Sequence, residues 1–231
     1  MKEFIALNNR WVLPLLFFII ITPLTPILDL GISSVFYDQQ SQMFTNNSFY
    51  QFIYEFAQLP GFAVFGAALL IFGLSYLKKP LMRHRDKCLM LILAMIIGPG
   101  LIINVILKPG WGRPRPRQVE ELGGVVPFRS FYSPNLGPHT SDKYKSMPSG
   151  HASMGFYFFA VAVLGRRLKN RRLEIAGYCL AIGLGTLLGL TRIAQGGHFF
   201  SDVLISALIT WWVALTLDWI LFCERPYRKT V

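Results

Sequence analysis

The sequence has little charge and almost no cysteine, and both shortages restrict what the protein can be. Only 15% of its 231 residues are charged, whereas soluble domains average about 25%. This argues against an ordinary soluble enzyme, and the 53% of hydrophobic residues argues against a disordered chain. The three cysteines, Cys88, Cys179 and Cys223, cannot all pair and lack metal-ligand spacing, so we predict free thiols rather than a disulfide scaffold.

What the sequence has in abundance is hydrophobic length. Its mean hydropathy is +0.43, and six apolar segments approach the roughly 20 residues that a membrane-spanning helix needs. They cover residues 11–30, 59–77, 88–107, 152–164, 175–190 and 203–222. The first is too long for the apolar core of a signal peptide, so we keep it as a span. The sequence therefore predicts an all-α polytopic membrane protein, with one domain over residues 1–231 built as a six-helix transmembrane bundle.

Basic residues alternate between the connections of these segments. Five lie in residues 78–87 and five in residues 166–172, whereas residues 36–58 contain none. Because short basic loops stay in the cytoplasm, we place these two loops and both termini there. Residues 108–151 then form an outer loop although they include seven basic residues. This exception needs a functional reason.

A short amphipathic helix is predicted in the outer connection of residues 36–58, which contains no basic residue. Its apolar stripe has helical spacing and consists of Phe49, Phe52, Ile53 and Phe56. Ser48 and Gln51 have the spacing of a capping box at its start. The stripe fits two placements equally well, as a short interfacial helix on the outer membrane surface or as a helix packed against the domain.

The run Lys108-Pro-Gly-Trp-Gly-Arg113-Pro-Arg115-Pro116 follows the third apolar segment and carries three cations. Its prolines stiffen the loop, so it can hold Lys and Arg side chains around a phosphate with little ordering cost. Basic residues also flank membrane spans in general, but these stand on the side where such flanks are disfavoured. We therefore predict a phosphate-binding loop.

Pro148-Ser149-Gly150-His151 opens the fourth segment. A helix N-terminus presents free N–H groups and the positive end of the helix dipole, and Gly150 lets an anion approach them closely. The Ser149 hydroxyl adds a donor, and His151 can exchange a proton near neutral pH. The tetrapeptide predicts an anion site beside a group that transfers protons.

Arg192, His198 and Asp202 stand at the start of the last segment. His198 and Asp202 are four residues apart, so on a helix they share one face. A carboxylate bound to one imidazole nitrogen fixes the tautomer and leaves the other nitrogen as a nucleophile. A lone histidine beside a span is usually a packing residue, but the added arginine and aspartate favour a catalytic group. All three clusters lie at segment ends that the charge pattern places outside, which predicts one shared site.

These clusters resemble the tripartite signature of the type 2 phosphatidic acid phosphatase superfamily, which is K-x6-RP, PSGH and SR-x5-H-x3-D. The matching residues are Lys108, Arg115 and Pro116, then Pro148 to His151, then Arg192, His198 and Asp202. Thr191 replaces the usual serine but keeps the hydroxyl. The stretches GPGLIINVILKPGWGRPRP, ASMGFYFF and GLTRIAQGGHFFSDV are similar to the bacterial branch that dephosphorylates lipid A, and most similar to the lipid A 4'-phosphatases.

The resemblance implies phosphate transfer through a phosphohistidine, without a metal or cofactor. His198 would be the nucleophile and Asp202 its orienting partner, while His151 would protonate the leaving oxygen and then activate water. The implied phosphate-binding residues are Lys108, Arg115, Ser149, Gly150 and Arg192. The resemblance also implies a periplasmic site in a bacterial inner membrane, with lipid A as the phosphorylated lipid substrate. Undecaprenyl pyrophosphate, phosphatidylglycerophosphate and transfer to another lipid's hydroxyl are alternatives that the signature does not separate.

Further cations of the outer loop have no place in the signature; these are Arg113, Arg117, Arg129, Lys143 and Lys145. We expect Arg113 and Arg117 to contact a second phosphate or an acidic sugar of the substrate headgroup. Lys143 and Lys145 fit a general attraction to anionic membrane lipids better. A transporter would need polar groups deep in the spans, for which Asp218 is the main candidate. We expect no nucleic-acid partner, because the inner basic residues are split between two short loops.

Overall fold

Helices account for most of the protein. The computed structural model describes residues 2–222, with side chains from Asn9 onward. The α-helices in that range are α1 Lys2–Ile21, α2 Thr25–Ser34, α3 Ser48–Phe56, α4 Leu59–Leu74, α5 Arg85–Met95, α6 Lys108–Gly110, α7 Gly150–Phe156, α8 Phe158–Arg167, α9 Arg171–Ala194 and α10 Phe200–Phe222. A π-helix, Ile96–Leu107, joins α5 to α6. Two short strands, β1 Tyr37–Asp38 and β2 Met43–Phe44, pair in antiparallel register.

Five helical runs of the described residues are long and apolar enough to cross a membrane. They are Asn9–Ser34, Ser48–Leu74, Lys79–Gly110, Arg171–Ala194 and Phe200–Phe222. These runs contain or overlap five of the six predicted segments. The structure thus confirms a mostly helical chain with several candidate membrane spans, and strands account for only four of the described residues.

The predicted fourth segment, residues 152–164, is divided between α7 and α8, which are separated at Tyr157. Both helices pack against α9. A Cβ on Gly155 of α7 would collide with the backbone of Gly185 of α9, so α7 and α9 approach too closely for any larger residue at this position. Neither α7 nor α8 alone is long enough to span a bilayer, and the sixth crossing stays a prediction.

The predicted amphipathic helix is present as α3. It begins after Asn47, whose side chain accepts the Tyr50 N–H at 3.0 Å. The capping box predicted at Ser48 is therefore wrong by one residue, because Asn47 supplies the cap. Ile53 of the stripe is buried, and α3 packs against α9. The exposed members of the stripe are Phe49, Phe52 and Phe56. Its location at a membrane surface stays a prediction.

The hydrophobic core lies where α5, α7, α8 and α10 meet, around Met90, Tyr157 and Ala214. Cys88 is buried in a smaller cluster, and Cys179 is exposed. Both thiols are free, as predicted, and Cys223 lies outside the described residues.

The two ends of the bundle differ in their charges. At one end, where α8 ends and α9 begins, Arg167 donates twice to Asp218, at 2.8 and 2.7 Å. Glu174 lies there too, 3.1 Å from Arg171. Asp218, the polar group that a transporter would use, therefore belongs to an ion pair. The opposite end gathers the end of α9 and the starts of α7 and α10, and the three sequence clusters lie there.

Candidate active site

A pocket of about 320 Å³ opens at this second end of the bundle. Its walls come from α3, the start of α6, the loop between α6 and α7, the first turn of α7, and the junction of α9 with α10. The lining residues are Tyr54, Lys108, Arg115, Arg117, Asp142, His151, Arg192 and His198. The structure thus brings residues of all three sequence clusters to one pocket.

Four cations and one carboxylate set the electrostatics of this pocket. Lys108 stands where the π-helix passes into α6. Arg115 is held by Asp142, because its Nε donates to the backbone carbonyl at 2.8 Å and its Nη2 to the carboxylate at 2.6 Å. Arg117 lies farther out, 45% exposed and 3.4 Å from the same carboxylate. The fourth cation is Arg192. This surplus of positive charge suits a phosphate group.

Arg192 is fixed by the turn that follows it. Gly196 has a φ of +60°, and the Gly197 N–H donates to the Arg192 carbonyl at 2.8 Å. A Cβ on Gly197 would meet the Arg192 guanidinium, so glycine lets the guanidinium lie directly against the turn. Nη1 donates to the Gln195 side chain at 2.6 Å, whereas the buried Nε has no partner among the described residues. The turn and Gln195 together hold the guanidinium at the pocket wall.

His198 lies in the link between α9 and α10 and is only 1% exposed. Its Nδ1 is hydrogen-bonded to the backbone carbonyl of Ser146. Because a carbonyl only accepts, this contact assigns the proton to Nδ1 and leaves the lone pair on Nε2. Burial, followed by the nearby Lys108, Arg192 and Arg115 charges, lowers the pKa of His198 well below its usual value. The imidazole is therefore neutral near pH 7 and can act as a nucleophile.

The predicted hydrogen bond between Asp202 and His198 is not formed. His198 Nδ1 lies 3.9 Å from Asp202 Oδ2. That oxygen instead accepts the Ser146 hydroxyl at 2.6 Å and the Phe199 N–H at 2.8 Å. His198 precedes the first residue of α10, so the two side chains do not stand one helical turn apart. Asp202 therefore reaches the imidazole through Ser146.

His151 lies in the first turn of α7, ahead of the predicted fourth span, and faces Tyr54 of α3. The two rings stack with centroids 4.3 Å apart. The Arg192 guanidinium lies 4.9 Å from the centroid of the same Tyr54 ring. Burial and the nearby cations, Arg192 first, lower the pKa of His151 to about 4. A bound phosphate opposes those charges and so raises this pKa, which suits a group that carries a proton during a reaction.

Ser149 and Gly150 are buried beneath the pocket and are not among its lining residues. The Ser149 hydroxyl accepts the Ala152 N–H at 3.5 Å and caps α7. A Cβ on Gly150 would lie 2.6 Å from the side-chain oxygen of Asn104, so glycine lets Asn104 pack against the helix start. Both residues support the helix that carries His151, and their contacts with phosphate stay predictions.

Arg113 does not line the pocket, and this corrects its predicted role in headgroup binding. It is fully buried, and its guanidinium pairs with Asp29 at 2.7 Å and Asp202 at 2.6 Å. Arg115 lines the pocket while Arg113 is directed into the protein. Side chains two residues apart share a face of a regular extended segment, so the irregular path of the loop, and not strand alternation, separates these two arginines. Arg117 remains at the pocket rim, where headgroup binding stays a prediction.

Four residues at or beside the pocket were not found from the sequence: Asp29, Tyr54, Asp142 and Ser146. Asp29 has a readable signal, because a carboxylate inside an apolar segment marks a paired or functional group. Tyr54 lies in the predicted amphipathic helix but off its apolar stripe. Asp142 and Ser146 are ordinary loop residues, and only the path of the loop brings them to Arg115 and His198.

Comparisons with known proteins agree with this site. Residues 87–224 match the PAP2 superfamily. A Lipid A 4'-phosphatase of Francisella tularensis subsp. novicida is 34% identical over 198 residues, which cover 83% of this chain and 86% of that protein. A Lipid A 4'-phosphatase of Rhizobium leguminosarum is 34% identical over 114 residues, 49% of this chain and 46% of that protein. Lipid phosphate phosphatase 1 of Arabidopsis thaliana is 28% identical over 177 residues, 69% of this chain and 50% of that protein. No solved structure matches the chain.

The matched region contains every lining residue of the pocket except Tyr54. It covers more than half of the chain, and the similarity to the Francisella relative covers 83% of the chain. The chain therefore belongs to the PAP2 superfamily and is a phosphatase that is similar to the lipid A 4'-phosphatases.

Proposed function

We propose that this protein is a lipid phosphatase of a bacterial inner membrane, which hydrolyses a phosphate monoester of lipid A through a phosphohistidine. The geometry of His198 carries the proposal, because this buried, neutral imidazole lines a pocket with four cations and keeps its lone pair on Nε2. The substrate is supported by the Francisella relative, which is named a Lipid A 4'-phosphatase and is similar over most of both chains.

In the first step, His198 Nε2 forms a bond to phosphorus while the bond from phosphorus to the ester oxygen breaks. The cations bind the phosphoryl oxygens and balance the charge that develops on them. Arg192 is one of the four cations that line the pocket. His151, which phosphate binding has helped to protonate, gives its proton to the leaving oxygen, so that the lipid departs as an alcohol.

In the second step, a water oxygen bonds to phosphorus and the phosphorus–nitrogen bond breaks. His151, now neutral, takes a proton from that water. Inorganic phosphate leaves, and His198 returns to its neutral form with the proton still on Nδ1. Side chains supply all the charge in this scheme, so we expect it to run without a metal ion or cofactor.

The distribution of basic residues supports a periplasmic pocket. Arg166, Arg167 and Arg171 lie where α8 ends and α9 begins, at the end of the bundle opposite the pocket. Short basic connections of this kind stay in the cytoplasm. We therefore assign that end and both termini to the cytoplasm, and we place α3 as an interfacial helix on the periplasmic side.

The experiment incubates the protein, purified in detergent, with bisphosphorylated lipid A. Released inorganic phosphate is quantified, and the lipid is analysed by mass spectrometry. We expect loss of one phosphate from the lipid, and we expect His198→Ala to reduce the rate by roughly three or more orders of magnitude. His84→Ala is the matched control, since His84 lies in the 3-10 turn Lys79–His84, away from the pocket.

Each other result contradicts a separate part of the proposal. Activity of His198→Ala close to that of the wild type excludes the phosphohistidine. Cleavage of undecaprenyl pyrophosphate or phosphatidylglycerophosphate but not of lipid A would be compatible with the proposed phosphohistidine mechanism but would exclude lipid A as the substrate. Phosphate found on another lipid's hydroxyl, rather than free in solution, would make the protein a phosphotransferase.

A further inference from the structure

Three charged side chains near His198 take no part in lining the pocket. Asp29, Arg113 and Asp202, here termed the charge triad, are fully buried. Arg113 lies between the two aspartates, with Nη2 donating to Asp29 at 2.7 Å and Nη1 to Asp202 at 2.6 Å. Its Nε donates to the carbonyl of Arg129 at 2.9 Å. Buried charges at these distances interact strongly, because solvent does not screen them.

Asp29 is bound from a second direction by Ser201. The Ser201 N–H donates to one oxygen of the carboxylate at 2.8 Å and its hydroxyl to the other at 2.7 Å. Arg113 also donates to the Ser201 hydroxyl, at 2.8 Å. Asp29, on α2, is thereby joined to the first turn of α10, which carries Asp202. It lies outside the matched region 87–224 and in none of the three sequence clusters.

The charge triad reaches the imidazole through Ser146. Asp202 accepts the Ser146 hydroxyl at 2.6 Å, and the carbonyl of the same Ser146 holds Nδ1 of His198. The Ser146 N–H in turn donates to the backbone carbonyl of Arg113 at 3.1 Å. The position of the carbonyl that orients His198 therefore depends on two members of the charge triad.

The charge triad has two negative groups and one positive group, so its net charge is negative. Without Asp29, Arg113 and Asp202 would form a neutral pair. A net charge is unfavourable inside a protein unless a neighbouring charge compensates it. The reaction supplies that charge, because the ring of His198 becomes cationic when Nε2 bonds to phosphorus while Nδ1 keeps its proton. The ring and the charge triad then attract each other.

We propose that Asp29 is a positioning residue for His198. Through Arg113 and Asp202 it holds the Ser146 carbonyl in place and makes the charge triad negative, which stabilises the cationic ring during phosphoryl transfer. This inference rests on the proposed phosphohistidine chemistry. It requires an effect on turnover rather than on substrate binding, because the cationic ring exists only once the bond to phosphorus forms.

The test measures kcat and KM on lipid A for three variants and the wild type, with thermal unfolding of the same preparations. Asp29→Asn removes the negative charge and keeps the shape of the side chain. Ser201→Ala is the matched control, because it removes hydrogen bonds within the cluster but no charge. The double variant D29N/R113Q removes one charge of each sign, so that Asp202 alone restores the net negative charge.

We expect Asp29→Asn to lower kcat about 10- to 100-fold while KM stays within about twofold. Ser201→Ala keeps kcat within about threefold of the wild type. D29N/R113Q recovers at least about threefold over Asp29→Asn, although it loses more hydrogen bonds. If Asp29 had only a structural role, D29N/R113Q would have a lower kcat than Asp29→Asn, because it loses more hydrogen bonds.

The inference is overturned if Asp29→Asn keeps a kcat within about twofold of the wild type, or if the double variant gains less than about threefold over it. If Asp29→Asn cannot be purified folded, D29N/R113Q decides between the two roles. A kcat of D29N/R113Q within about 100-fold of that of Ser201→Ala supports the inference, and a larger loss of kcat overturns it. His198→Ala is assayed alongside, and activity there would reject the proposed function itself. An inactive His198→Ala with an unaffected Asp29→Asn would reject only the role of Asp29.

Discussion

Two arginines four residues apart, Arg113 and Arg117, should respond very differently to the same substitution. Arg113→Gln leaves two buried carboxylates, Asp29 and Asp202, without their shared cation. Breaking a buried ion pair by removing one partner costs about 3–5 kcal/mol. Arg117 is 45% exposed and lies 3.4 Å from Asp142, and an exposed pair of this kind contributes about 0–1 kcal/mol.

These magnitudes convert into a measurable difference in unfolding temperature. For a chain of this size, each kcal/mol shifts Tm by about 2–4 °C, so Arg113→Gln should unfold roughly 6–20 °C below the wild type. Arg117→Gln should stay within about 4 °C. The assay is thermal unfolding of both variants in the same detergent. A Tm for Arg113→Gln within about 2 °C of that for Arg117→Gln would refute the buried placement of Arg113.

Three further predictions follow from the site. The pKa of His198 is lowered in the folded protein, so below pH 6.5 the unfolded chain takes up a proton at this residue that the folded protein does not, and stability falls by up to about 1.4 kcal/mol per pH unit. The unfolding temperature should therefore depend less on pH between pH 8 and pH 5 in His198→Asn than in the wild type. Equal dependence of Tm on pH in the two proteins would contradict this. Asp142→Asn releases Arg115 and Arg117 from a carboxylate, so inorganic phosphate should inhibit about 2- to 10-fold more strongly; unchanged or weaker inhibition in the same assay would count against the pairing. Tyr54→Leu removes the ring that stacks on His151 and should lower kcat/KM about 3- to 10-fold, whereas Tyr54→Phe should stay near the wild type; equal losses would assign the effect to the hydroxyl instead.

The spans were predictable because hydrophobic length is a local property of the sequence. Five of the six segments lie in or overlap helical runs long enough for a membrane. The division of the fourth at Tyr157 was not predictable. The close approach of α7 to α9 at Gly155 and Gly185 is likewise a tertiary effect, which composition and periodicity do not describe.

The meeting of the three clusters at one pocket was predictable from their order at segment ends. The direction of each side chain was not. Arg113, Arg115 and Arg117 have similar local sequences, yet one is buried, one is held in the pocket and one lies at the rim. The path of the loop of residues 108–151 decides which is which, and it also places Ser146 rather than Asp202 beside the imidazole.

The central claim is that His198 carries the phosphoryl group during turnover. The most direct measurement quenches the protein at alkaline pH while it turns over lipid A and then maps phosphorylation by mass spectrometry of its peptides. We predict a phosphoryl group on His198 that is absent in His198→Ala. Phosphate release with no phosphoryl group on His198, or with the group on another residue, would contradict the account.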